Sequence, residues 1–207
     1  MGGTFDPVHY AHLRLALDAL ETLPLAEVRW IPSGAPGHRG APHASAADRL
    51  AMLRLAIADE PRFTLDTAEL DAGVPTYTVP MLRRLRSELG AERSLVMLIG
   101  MDSFLTLPSW RDWEALFDLT HFAVADRPGY VLDVAKLPAR LAEIYTARRE
   151  EPSTLASRPH GCIVHFPAVQ LDISATDLRA RFAQQKSARC LIPETVLRYI
   201  ESKALYR

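Results

Sequence analysis

The chain has 207 residues, 48% of them hydrophobic, enough to bury one substantial core. Its 24 Lys+Arg against 25 Asp+Glu leave a formal charge of -1, so no global basic field is available to hold a nucleic acid or an anionic membrane. No apolar run reaches the roughly 18 residues of a membrane span, and the first residues lack the layout of a secretion signal. Cys162 and Cys190 fit neither a metal spacing nor a disulfide framework, which suits the cytoplasm.

The chain opens MGGTFDPVHYAH. Gly2 and Gly3 permit a tight turn and close approach of backbone to a ligand. Asp6 is expected to cap a helix whose first residue is Pro7, a position where the missing N–H is harmless. His9 and His12 then neighbour one another on one helical face. Unpaired N–H groups at a helix start, the positive dipole end and two imidazoles make a positively polarised site of the kind phosphates occupy. On composition alone the histidines could equally be ordinary residues, and a zinc reading lacks a third ligand.

Such a turn normally hangs from a buried strand, yet only Met1 precedes it. Burying four or five apolar side chains is worth roughly 1.5–3 kcal/mol each, comparable with a domain's total stability of about 5–15 kcal/mol. The expectation is that Met1 is a displaced start and that natural chains carry further apolar residues upstream. The alternative is that Met1 to Thr4 form a stub of this strand.

Farther along, short β-rich runs alternate with helical patterns. VRWIP (28–32), RFTLD (62–66), SLVMLIG (94–100), HFAVA (121–125) and CIVHF (162–166) read as strands. Helical spacing covers 13–20, 44–60, 79–89 and 110–118, and Ser45 with Asp48 three later is a capping-box-like start for the second. SLVMLIG is apolar nearly throughout, as a central strand covered on both faces should be. The stretch 128–161 reads as a helix plus an exposed loop. The fold expected is α/β: a doubly wound parallel sheet with helices on both faces, its first strand truncated, and ligands at the carboxyl ends of the strands. One domain is expected over 1–207, with about 174–207 as a small helical subregion.

GGTFDPVHYAH resembles the first signature of the HxGH-type nucleotidylyltransferases, roughly G-x-F-x-P-x-H-x-G-H, and ISATDLR, with Ser174, Thr176 and Arg179, resembles their second, S-x-T-x-x-R. GAPGHRG, PTYTV, LIGMDSFLTLPSWRDW, ADRPGY and LIPETVLRYIESKALY extend the likeness along the whole chain, toward the bacterial branch that adenylylates nicotinate mononucleotide. The resemblance implies a Rossmann-like fold and a reaction in which the 5′-phosphate of that mononucleotide attacks the α-phosphate of ATP and releases pyrophosphate. An anionic nucleophile needs no general base; it needs alignment and charge stabilisation, which accounts for clustered His and Arg.

By the same resemblance His9, His12 and Arg179 would act on the phosphates. Gly3, Thr4 and Phe5 would line them, and His38 and Arg39 would reach over them from a mobile loop. Ser174 and Thr176 would bind phosphate from a helix start, where Ser174 also reads as an ordinary N-cap. Asp102 and Arg127, each after a strand, would hold the adenosine part. Trp110 would stack on the pyridine ring, and the backbone N–H groups of Thr78 and Arg111 would meet the nicotinate carboxylate. Mg²⁺ is expected on the ATP phosphates, largely through water, with no protein metal cage. Nucleic acid and membrane are not expected partners; the protein would be a monomer or homodimer.

Two further departures accompany the missing strand. Ala11 replaces the glycine usual between the two histidines, and Gly37 stands where a second Pro commonly precedes the loop histidine. Three rivals remain: another transferase on the same scaffold, a non-catalytic nucleotide sensor, and a metal hydrolase built on HxxH.

Overall fold

The computed structural model describes residues 1–36, 41–71, 75–126 and 132–207. In chain order its strands and α-helices are β1 (Gly2–Gly3), α1 (Tyr10–Thr22), β2 (Val28–Pro32), β3 (Ala35–Pro36), α2 (Ala46–Ile57), β4 (Phe63–Leu65), α3 (Ala68–Asp71), β5 (Pro75–Thr76), α4 (Thr78–Leu89), β6 (Val96–Gly100), α5 (Met101–Leu105), β7 (His121–Asp126), α6 (Ala139–Arg148), β8 (Ile163–Pro167), α7 (Ala175–Ala183) and α8 (Glu194–Ser202). Every strand pair is parallel. The strands form two three-stranded sheets and one two-stranded pair among the described residues. Two compact units result: Met1–Leu17, Ala26–Thr76 and Gln170–Arg207 make the first, Asp18–Leu25 and Tyr77–Val169 the second.

In the first unit the order β1-β2-β4 sets Gly2 opposite Ile31 and Trp30 opposite Leu65. β1 is a two-residue strand: the Met1 nitrogen donates to the Arg29 carbonyl at 2.8 Å, the Ile31 N–H donates to the Met1 carbonyl, and the Ser33 N–H donates to that of Gly3. Beside these backbone bonds the apolar packing is built on Trp30. Trp30 is fully buried and packs on Phe5 and Phe63, with ring centroids 5.4 and 5.2 Å away. Ser45 caps α2 as its spacing predicts, accepting from the Asp48 N–H at 3.1 Å. α8 buries Val196, Leu197 and Ile200, and its Tyr199 hydroxyl donates to Asp48 of α2 at 2.9 Å.

What holds up the opening turn is a residue whose charge alone would place it outside the core. Arg49 lies on the apolar face of α2, 1% exposed. Its guanidinium donates to the carbonyls of Thr4 and Ser33, each at 2.8 Å, and of Gly34 at 3.1 Å. A buried guanidinium is tolerable because its fork of donors meets several carbonyls that would otherwise be orphaned.

In the second unit the order β6-β7-β8 puts β7 in the middle, and β7 is buried from His121 through Ala125. Leu98 and Ile99 of β6 are buried while Val96 and Met97 are half-exposed. Arg86 of α4 donates to the carbonyls of Leu119, Arg93 and Pro159, tying three connections to one helix. The helix predicted over 110–118 is corrected: Asp112 adopts φ 54, and only a 3₁₀ turn, Trp113–Asp118, follows it. Trp110 therefore sits in extended backbone after a 3₁₀ turn, Leu107–Ser109, with Pro108 inside it. The stretch 128–161 contributes α6, as expected, and 3₁₀ turns at Val134–Lys136 and Pro152–Ala156.

Replacing Arg49 with Met should keep the volume while leaving three carbonyls without donors, and we expect a loss of about 3 kcal/mol or more in urea unfolding.

Candidate functional site

The opening turn is shaped by Phe5. Its backbone is left-handed at φ 51 and its ring is 2% exposed. A Cβ on Gly3 would lie 2.8 Å from two carbons of that ring, so only glycine fits there. The Asp6–Pro7 bond is cis.

The turn departs from expectation at Asp6. Helix α1 begins at Tyr10, not Pro7, and Asp6 does not cap it. The buried Asp6 carboxylate accepts instead from the N–H of His43 at 2.7 Å, the N–H of Ala44 at 3.1 Å and the Tyr206 hydroxyl at 2.7 Å. Burial alone would raise this carboxyl; the Tyr206 and amide hydrogen bonds, with the charge of Arg179, outweigh it and hold Asp6 below the usual carboxylate range.

His9 and His12 remain partners, by a different route. The His9 carbonyl accepts the first helical bond, from the Leu13 N–H, which makes His9 the N-cap residue. His12, three residues on, reaches back so that its Nδ1 accepts from the His9 N–H at 3.3 Å. This is the reach of a capping box with imidazole in place of a carboxylate. The rings stack at 3.7 Å between centroids, and the His12 ring meets Phe5 edge-on at 5.2 Å. With Nδ1 accepting, the neutral His12 ring carries its proton on Nε2 and offers it as a donor.

The two rings are not cations. Burial lowers His9 to about 4, and burial together with its neighbour His9 lowers His12 well below 6.5. The helix start is also less open than expected, since the Tyr10 N–H donates to the Leu191 carbonyl at 3.1 Å. Positive charge in this cluster comes from Arg179. Its guanidinium donates to the Asp6 carbonyl at 2.7 Å and to the Thr176 hydroxyl at 3.2 Å. Ser174 caps α7, accepting from the Asp177 N–H at 3.1 Å and donating to that residue's carboxylate at 2.7 Å. The two signatures, at opposite ends of the sequence, thus meet in one unit.

The second unit holds the other predicted group. Thr78 opens α4, whose N-cap residue Tyr77 provides no side-chain cap, and the first amides of a helix lack intrahelical partners. The Arg111 guanidinium lies 5.0 Å from the centroid of the Tyr77 ring. Half-buried Trp110 immediately precedes it. Asp102 is exposed in the first turn of α5, directly past β6. His38, Arg39 and Arg127, with Gly37, lie outside the described residues.

Arg49, Tyr206 and the amides of His43 and Ala44 are what sequence reasoning missed. Tyr206 had a signal, since LIPETVLRYIESKALY carries part of the family likeness. No helix among the described residues is long and apolar enough to cross a membrane, and no group of three His, Cys, Asp or Glu among them is placed to hold a metal ion.

Residues 1–181 match the Cytidylyltransferase-like family, and the chain belongs to that family. Along its whole length it is similar to proteins named probable nicotinate-nucleotide adenylyltransferase. It is 49% identical to that of Dechloromonas aromatica, over all of this chain and 95% of the relative, and 48% identical to that of Chromobacterium violaceum, over all of this chain and 96% of the relative. In fold it is similar to Plasmodium falciparum nicotinic acid mononucleotide adenylyltransferase complexed with NaAD. That match has a TM-score of 0.73 at 18% identity and covers 99% of this chain and 94% of that one.

The depressed histidines give a stability signature. Unfolded, His9 titrates at 6.5; folded, at about 4. Between these values the unfolded chain binds more protons, so stability falls as pH drops through that window, by about 3 kcal/mol from His9. His12 adds in the same direction. Denaturant midpoints followed over the window should show this slope, and a His9→Asn variant should flatten it.

Proposed function

We propose that this protein is a nicotinate-nucleotide adenylyltransferase: it joins ATP and nicotinate mononucleotide into nicotinate adenine dinucleotide, with release of pyrophosphate, in NAD biosynthesis. The observation that carries this reading is the hydrogen bond from Arg179 of the second signature to the Asp6 carbonyl of the first. The relatives' names support the choice of substrates.

In this reaction an oxygen of the mononucleotide's 5′-phosphate bonds to the α-phosphorus of ATP as the bond to the pyrophosphate oxygen breaks. No covalent intermediate on the protein intervenes. The nucleophile is already an anion, so the protein's task is alignment and stabilisation of charge in the transition state. His12 donates from Nε2 to a phosphate oxygen, and His9 lies stacked beside it with a buried Nδ1 that has no hydrogen-bond partner among the described residues. Neutral rings suit this: they bring hydrogen bonds without adding two buried charges to the empty site, and an arriving polyanion raises their pKa. Arg179 supplies fixed positive charge, with Ser174 and Thr176 beside it at the start of α7. Gly3, Thr4 and Phe5 shape the floor.

In the second unit Trp110 stacks on the pyridine ring, and the Thr78 and Arg111 N–H groups bind its carboxylate. Asp102, past the end of β6, holds a ribose hydroxyl. His38, Arg39 and Arg127 complete the phosphate and adenosine contacts. The donor set around His12 and Arg179 suits phosphate oxygens, not a metal, and stacked rings are not a chelating pair. Mg²⁺ would accordingly be carried on the ATP phosphates and water, lowering their charge repulsion. A reaction that consumes ATP fits a cytoplasmic setting.

Pyrophosphate release with ATP and nicotinate mononucleotide tests the reading directly. His12→Ala should lower turnover by roughly 10²–10³-fold, as loss of one transition-state donor does, while its unfolding free energy falls only by about 1 kcal/mol, the scale of a lost helix cap. An unimpaired variant would remove the phosphate role. Trp110→Ala should instead raise the KM for the mononucleotide roughly tenfold, the scale of one base–aromatic stack, measured with ATP saturating.

A further inference from the structure

The closing residues of the sequence are folded back in an unusual way. After α8 ends at Ser202, Ala204 and Tyr206 both adopt left-handed backbone, at φ 51 and φ 64. Residues with a Cβ enter that region when their surroundings hold them there, and such positions gather at functional sites. The Leu205 N–H donates to the Ile200 carbonyl, which turns the chain back on the helix. The Tyr206 ring lies on Phe182 of α7, with centroids 5.9 Å apart and planes 26° from parallel. Its hydroxyl reaches Asp6, 200 residues away in sequence, at 2.7 Å.

Packing alone would be served by phenylalanine. The hydroxyl instead ends on the carboxylate that organises the opening turn. Asp6 Oδ1 takes Tyr206 and the Ala44 N–H, and Oδ2 takes the His43 N–H. The His43 ring approaches Oδ2 at 3.6 Å. The Asp6 carbonyl receives Arg179. Arg49 secures the same turn two residues earlier, through the Thr4 carbonyl. Tyr206 therefore completes a shell around one residue of the first signature whose carbonyl holds the arginine of the second.

We propose that Tyr206 is a positioning residue for the transfer reaction: through Asp6 it sets the opening turn, and with it His9, His12 and Arg179, in the geometry that receives the ATP phosphates. It touches no reacting atom itself. The hydroxyl also faces the charges of Arg179 and Arg49, and His43 lies on the far side of the same carboxylate, so removal of the hydroxyl leaves Asp6 easier to protonate.

The inference rests on the proposed adenylyl transfer, and the comparison of Tyr206→Phe with Tyr206→Ala separates it from a packing role. Tyr206→Phe retains the stack on Phe182 but gives up one hydrogen bond to a buried carboxylate, so it should stay folded with a denaturant midpoint between those of the parent and Tyr206→Ala, and lose about tenfold in kcat, with the KM for the mononucleotide within about twofold and the acid limb of kcat moved to higher pH. ATP binding by calorimetry should weaken about tenfold. Tyr206→Ala should show the same catalytic loss together with lower stability. A Tyr206→Phe enzyme with parental kcat, acid limb and ATP affinity would overturn the proposal, as would a loss confined to Tyr206→Ala. If the parent itself releases no pyrophosphate, the transfer reading fails. The ATP affinities of parent and Tyr206→Phe then decide the positioning role alone: tenfold weakening sustains it, equality ends it.

Discussion

One carboxylate gathers the first unit. Asp6 is buried, and a buried anion is tolerable only where donors replace its water. Here they come from two backbone amides after the second strand and from a tyrosine at the far end of the chain. Its carbonyl meanwhile holds the arginine of the second signature. Three segments remote in sequence thus depend on a single residue in the opening turn. The surrounding positive groups, Arg49 and Arg179, make the anion favourable there and are themselves oriented by the carbonyls of that turn. Loss of any one member leaves the others under-satisfied, so the network is cooperative by construction.

The stacked histidines show how a phosphate site can be ready without being charged. Two protonated imidazoles 3.7 Å apart would repel one another in a dry environment. The fold avoids this by keeping both neutral, with the His9 amide setting the tautomer of His12. A donor on Nε2 remains, rigidly aimed by the first turn of α1. Permanent charge is delegated to a guanidinium, whose ionisation does not respond to burial at any ordinary pH.

Parallel α/β pairing follows from alternation that could be seen in the chain. The five runs that read as strands all appear, VRWIP with its bounds unchanged and the other four shifted by one or two residues at their ends. The helical pattern over 110–118 failed because periodicity sees only apolar spacing; Pro108 and the left-handed Asp112 are local backbone events that convert a helix into 3₁₀ turns. Asp6 failed for a related reason. Asp followed by Pro is a sound helix-start signal, yet the amides of His43 and Ala44 compete for the same carboxylate, and nothing local announces them.

By itself the sequence determined the chemical vocabulary: two histidines three apart, a Ser-x-Thr-x-x-Arg element, and strands whose apolar character demanded burial. Spacing within one or two turns is enough to set these, because neighbours along a helix meet wherever the helix goes. Only the tertiary structure decided that Arg49 is a buried strut, that Asp6 is a hub and not a cap, that Tyr206 closes onto it, and that the imidazoles are neutral. Those outcomes depend on groups 15 to 200 residues apart in the chain and on how much water the packed surroundings exclude, and neither quantity is written in any short stretch of sequence.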